Sequence, residues 1–279
     1  MAAILCPSCR KLISSDEPRC PFCGQARPGL WGLTTLFRRL GLKVDFPHII
    51  TLLCVALFIT SLLLDLSAVF QVSGLMNLLS PSIKASYLMG MTGYYWAFVE
   101  GRWWTLITAI YLHGGLLHIF FNVMWIRQLG PLVEELYGPY RLFVIFTVAG
   151  IVGFLFSTLI APVTAGGFPR SSLGASGSIF GLLAAAIVYG RKVGSTLFTR
   201  QFLQWAVLLF VFGFIMSGVD NWAHAGGFVG GDAVSPGSAR DRGGGAGRYS
   251  GPTGAAAGAP QSARGPASGT RRCDLGAGA

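Results

Sequence analysis

Long apolar runs constrain this chain before anything else does. His48 to Phe70 is the first, long enough at about 20 residues to cross a bilayer. Further spans are predicted at roughly 111–136, 141–161, 173–190 and 201–219, and a sixth begins near Asn221. The bilayer core offers the backbone no hydrogen-bonding partner, so each run has to be a helix. Only 11% of the residues are charged, against about 25% in soluble domains. The expected class is an all-α, multi-pass membrane protein.

The formal charge of +10 does not point to nucleic acid, because no basic stripe interleaved with aromatics is present. The excess sits where cytoplasmic loops and a basic tail would put it. Arg27, Arg38, Arg39 and Lys43 precede the first span, Arg141 follows the second, and Arg191, Lys192 and Arg200 follow the fourth. The opposite side holds chiefly Lys84, Arg102 and Arg170. This bias predicts a cytoplasmic N-terminus in the cell (inner) membrane. The first residues run into a cysteine motif rather than a basic n-region and apolar h-region, so no secretory signal is expected.

That motif is Cys6-Pro7-Ser8-Cys9 followed by Cys20-Pro21-Phe22-Cys23. Two such knuckles about ten residues apart suit one tetrahedral zinc held by Cys6, Cys9, Cys20 and Cys23, and a pair of disulfides is the weaker alternative. Residues 1–26 are too few to build a core, so the metal would supply most of the folding free energy of this zinc ribbon. Reduced thiols agree with a cytoplasmic location. Residues 27–47 read as a basic linker, and Cys54 and Cys273 as incidental.

Residues 71–110 are neither clean helix nor clean loop. They hold Gly90, Gly93, Gly101 and the aromatics Tyr94, Tyr95, Trp96, Trp103 and Trp104. Two readings stay open: an ordinary aromatic belt at the membrane–water interface, or a structured loop partly in the membrane that supports a site.

Three polar constellations lie inside the apolar runs. The second, fourth and sixth spans all enter from outside in this topology. His118 and Asn122, four residues apart on one helix face, then lie in the outer half of the second span. Ser176, within Gly174-Ala175-Ser176-Gly177, falls in the first turn of the fourth, and His224 in the first turn of the sixth. Singly, each has a bland explanation: a membrane histidine usually makes a helix–helix hydrogen bond, and small residues pack helices. Together they share one depth. A serine with an imidazole able to take its proton is a nucleophile–base pair. The His118 ring N–H, the Asn122 amide and the Ser176 backbone N–H are donors suited to an oxyanion. Apart from Asp220, four residues earlier near the loop, no acidic residue is placed to orient His224, so a Ser–His dyad is expected rather than a triad. His48 and His113 are assigned interfacial or supporting roles.

At these residues the chain resembles the rhomboid intramembrane serine proteases. Their pattern of HxxxxHxxxN, then GxSG, then a histidine on the sixth helix reads here as His113, His118 and Asn122, then Gly174 to Gly177, then His224. The resemblance covers approximately 45–231. It implies a six-helix core, a wet cavity open to the outer face, and cleavage of transmembrane segments of other proteins near their outer ends. By position, Ser176 is implied to be the nucleophile and His224 the base, with His118, Asn122 and the Ser176 N–H stabilising the oxyanion and no catalytic cofactor. His113, Gly174, Gly177, Phe180 and Gly227 are implied to support the site. Phe180 stands where bacterial members often carry a tyrosine packed on the histidine. The Trp–Arg motif of the first external loop appears only as Arg102-Trp103-Trp104, in altered order.

Gly227 and Gly231 have the spacing that lets the sixth helix approach the fourth. After Gly231 the composition turns to Gly, Ala, Ser, Pro and Arg, so a truncated sixth helix and a disordered tail over 232–279 are expected, as a shifted reading frame would produce. The alternative function is then a catalytically impaired relative that binds transmembrane helices without cutting them. A transporter would spread polar residues through the bilayer depth, and only Arg127 and Glu134, read as a structural or interfacial pair, lean that way.

Overall fold

The computed structural model describes residues 3–6, 11–14, 17–24, 45–69, 78–164, 171–216 and 218–235. Cys9, most of the basic linker, and the tail beyond Ser235 lie outside the described residues. Near the N-terminus, β1 (Ala3–Leu5) pairs antiparallel with β2 (Leu12–Ser14), one strand on each side of the first cysteine pair in sequence.

The membrane part is helical, with α1 at Phe46–Leu63, a single turn α2 at Leu66–Val69, α3 at Ile83–Met89 and a short α4 at Thr105–Thr108. Then come α5 (Leu116–Tyr137), α6 (Pro139–Thr164), α7 (Ser176–Lys192), α8 (Thr196–Ile215) and α9 (Asn221–Val234). Among the described residues four helices, α1, α5, α6 and α8, are long and apolar enough to cross a membrane. The remaining two of the expected six, α7 and α9, have 17 and 14 residues.

The ends of these helices follow local chemistry. Asp45 starts α1 by accepting the His48 N–H at 3.0 Å, with Pro47 pre-set for the first turn. Hence the helix begins at Phe46, inside the stretch expected as linker. That backbone bond holds the Asp45 carboxyl below its ordinary value, so the cap persists above the carboxylate range and is lost as the pH falls through it. The second span starts later than its sequence suggests, because Gly114 and Gly115 delay α5 to Leu116. His113 therefore precedes the helix instead of lying within it. At the other end of the chain, α9 runs three residues past Gly231 to Val234, and Ser235 closes it on the Gly231 carbonyl through both its N–H and its hydroxyl.

α7 is the axis of the bundle. Every residue from Gly177 to Val188 is buried, which is why this helix is apolar all round, and α5, α6, α8 and α9 pack about it. Glycines set the contact with α6 and α9. A Cβ on Gly227 or Gly231 would collide with the backbone of Gly177 or Gly181, and one on Gly153 would reach 2.6 Å from the Ala223 carbonyl. The spacing of Gly227 and Gly231 thus brings α9 against α7, as the sequence suggested. No ion pair joins Arg127 to Glu134, which are two turns apart; Arg127 is exposed and Glu134 half-buried.

Residues 78–111, the described part of the stretch expected to be a belt or a structured loop, carry short helices and fixed hydrogen bonds. Tyr94, Tyr95, Trp103 and Trp104 are exposed, while Thr92 and Thr105 are fully buried and hydrogen-bonded to each other at 3.1 Å. Arg102 lies 4.0 Å above the Tyr87 ring and donates to the Tyr87 carbonyl. Replacing Gly227 by valine is expected to cost about 1–3 kcal/mol of stability through overpacking. Val229→Leu, on the exposed face of the same helix, should stay within about 0.5 kcal/mol. Unfolding of the purified protein in detergent checks both.

Candidate active site

Ser176 and His224 lie in the first turns of α7 and α9, and His118 and Asn122 in the first two turns of α5. Ser176 is the first residue of α7 and remains partly accessible. Phe180, one turn further, stacks on the His224 imidazole with ring centroids 4.4 Å apart and an interplanar angle of 16°. Next to Ser176, the face of Gly177 lies against the Ala223 carbonyl: a Cβ there would come within 3.1 Å of it. Ser176 and Phe180 share a helix face, so the hydroxyl and the imidazole are brought to the same side of α7.

His224 is buried and its two nitrogens differ. Nδ1 lies 3.1 Å from Asn221 Oδ1, one turn earlier in α9. An amide oxygen only accepts, so this contact assigns the ring hydrogen to Nδ1 and leaves Nε2 with a free lone pair. Nε2 is buried without a hydrogen bond, and the Ser176 hydroxyl does not bond to it in this resting geometry. Such bonds commonly tighten only when substrate is bound. Asp220 does not orient the imidazole. It caps α9 through the Ala223 N–H and accepts from Ser157 and Ser172. The side chain in contact with the His224 ring nitrogen is an amide, that of Asn221. Asn221 escaped the sequence reading, although a polar residue three positions before a helical histidine is the signal that would have found it.

His118 faces the same end. Its Nδ1 accepts the Gly114 N–H at 3.2 Å, which puts the ring hydrogen on Nε2. Nε2 abuts Gly174, where a Cβ would sit 2.7 Å away, and Gly174 has a φ of +128° that other residues rarely adopt. The donor of His118 is thus held beside the segment that leads into Ser176. Asn122 uses one amide hydrogen on the His118 carbonyl at 2.8 Å and keeps the second. His113 packs edge-on against the His118 ring at 5.1 Å and is itself 2% exposed.

Near the N-terminus, the sulfurs of Cys6, Cys20 and Cys23 all lie within 4.8 Å of one another, with Cys6 and Cys23 Sγ 3.7 Å apart. A tetrahedral zinc with bonds of about 2.3 Å requires sulfurs roughly 3.8 Å apart, so these three thiols fit such a metal. None of them is in a disulfide.

Comparison with known proteins fits this arrangement. The rhomboid domain family model matches residues 100–238. The putative rhomboid protease YdcA of Bacillus subtilis is 32% identical over 153 residues, which are 52% of this chain and 72% of that protein. The chain belongs to the rhomboid family. Rhomboid protease GluP of Bacillus subtilis is 37% identical over 136 residues, 47% of this chain and 25% of its own length. Inactive RHOMBOID-like protein 8 of Arabidopsis thaliana is 34% identical over 167 residues, 54% of this chain and 43% of its own. The chain thus spans less than half of GluP and of the Arabidopsis protein, and rhomboid relatives include both proteases and inactive members.

Stacking of two rings in such a pair is worth about 0.5–1.5 kcal/mol. Phe180→Ala is expected to slow reaction of the Ser176 hydroxyl with a fluorophosphonate by roughly 2- to 12-fold if that stabilisation is fully expressed. Phe180→Tyr keeps the stack and should keep the rate.

Proposed function

We propose that this rhomboid is an intramembrane serine endopeptidase that cuts transmembrane segments of other membrane proteins near the outer face. The observation that carries the reading is the His224 imidazole, stacked on Phe180 one turn from Ser176, with Nδ1 on Asn221 and the Nε2 lone pair free. In the first step Ser176 Oγ attacks the scissile carbonyl while His224 Nε2 takes its proton. The imidazolium then returns that proton to the leaving amine, and water hydrolyses the acyl-enzyme by the same route. Asn221 is the positioning residue that fixes the tautomer. The His118 Nε2–H, the remaining Asn122 N–H and the Ser176 backbone N–H face the developing oxyanion. His113, Gly174, Gly177 and Gly227 hold these groups in place.

A transmembrane helix satisfies its own backbone hydrogen bonds, so it must unwind before a serine can reach a carbonyl. Substrates with small or helix-weakening residues at the outer end are therefore preferred. The basic residues of the linker and of the loops after the second and fourth spans support an N-terminus in the cytoplasm of the cell membrane. The core extends over 48–231 and through the end of α9. The ribbon over 1–26 holds a structural zinc through Cys6, Cys20 and Cys23, with Cys9 as the fourth ligand.

Ser176→Ala is expected to abolish cleavage of a reporter transmembrane substrate in liposomes, and Asn122→Ala or His118→Ala to lower turnover by about 10²–10³. Equal cleavage by Ser176→Ala would contradict the reading. Purified protein should carry about one zinc per chain by elemental analysis, lost in the Cys6→Ser, Cys20→Ser double variant.

A further inference from the structure

Asp220 is bonded to three separate parts of the fold. Its Oδ1 accepts the Ala223 N–H at 3.0 Å and caps α9 one residue before Asn221. Its Oδ2 accepts the Ser172 hydroxyl at 2.7 Å and the Ser157 hydroxyl at 2.5 Å. Ser157 belongs to the outer part of α6, and Ser172 precedes Ser176 by one turn's length of chain. The Ser172 backbone is held as well, by paired hydrogen bonds with Thr92 at 3.0 and 2.7 Å. Two residues further, the Gly174 N–H donates to the Ala109 carbonyl at 2.8 Å.

We infer that Asp220 is a positioning residue for the Ser176–His224 pair, a carboxylate clamp that fixes the segment leading into Ser176 against the helix carrying His224. The inference rests on the proteolytic reading for its catalytic consequence, but the clamp itself is a statement about structure. Ser176 stands on one side of the clamp and His224 on the other, with no hydrogen bond of their own between them at rest. Their separation is therefore set by what ties the two segments together. The glycine crossing fixes the axes of α7 and α9, while the clamp fixes the two chain segments that enter them. Charge-assisted bonds from two hydroxyls to one carboxylate oxygen suit that role, since they are short and directional.

The experiment uses the full chain in detergent micelles with two readouts. Hydrogen exchange reads the amides of 171–178 and 219–226 whether or not the protein cuts anything, and a fluorophosphonate reads the reactivity of Ser176. Asp220→Ala is expected to raise exchange in both segments and to slow labelling by about 10- to 100-fold, the range in which a displaced nucleophile loses rate. Because that variant also removes the α9 cap, the Ser157→Ala, Ser172→Ala double variant isolates the clamp. It should reproduce most of the loss and add little to Asp220→Ala. Asp220→Asn retains the cap and an acceptor for one hydroxyl, and should recover part of the rate. Unchanged exchange in both segments would overturn the clamp. Raised exchange with labelling within twofold of wild type would overturn its positioning role. A wild-type chain that takes no label speaks against the serine-protease reading instead, and the exchange data then decide the clamp by themselves.

Discussion

The close backbone crossing of α9 with α7 and α6 is the contact on which the remaining geometry depends. Lipid tails are as apolar as leucine, so helices in a bilayer gain little from burying hydrophobic surface against one another. What holds them is close packing and hydrogen bonding. Glycines on all three helices let the backbones approach until a single added Cβ on Gly227 or Gly231 would strike Gly177 or Gly181. This approach carries the Ala223 carbonyl to the face of Gly177, and with it His224 to the residue beside Ser176. α9 has only 14 residues, and its outward-facing Val229 is 64% exposed. Its place depends on that crossing far more than on its own length.

Upon this frame the polar groups are sorted by which nitrogen or oxygen is already engaged. Asn221 occupies one nitrogen of His224, and the Gly114 N–H occupies one of His118, so the two rings present opposite characters at the same end of the bundle. One offers a lone pair and the other a hydrogen. A base and an electrophile made from the same side chain, distinguished only by a backbone or amide partner, are what acyl transfer needs. Rhomboid relatives without activity exist, and the proposal that this chain is a protease rests on these two rings and on Ser176.

Much of this was legible in the sequence, for a physical reason. Runs of about 20 apolar residues allow only helices, and a histidine or serine within them has little reason to be there unless it faces a partner. Hence Ser176, His118, Asn122 and His224 stand out as candidates, and Gly227 and Gly231 announced the crossing by their spacing. Other features were hidden. The start of α5 depends on an extended Gly115, which shifts His113 out of the helix. The three helical residues beyond Gly231 depend on closure by Ser235. Ser157 and Asp220 are 63 residues apart, and only the fold makes them neighbours. Asn221 was within reach of local reasoning, because its register with His224 is fixed by helix geometry alone.

The central claim is that His224 makes Ser176 a nucleophile. Mass-spectrometric mapping of a fluorophosphonate adduct on the full chain in liposomes, compared between wild type and His224→Ala, tests it most directly. The account predicts one adduct, on the peptide containing Ser176, that is lost in His224→Ala. An adduct on another serine, one that persists without the imidazole, or none on the wild-type protein would contradict it.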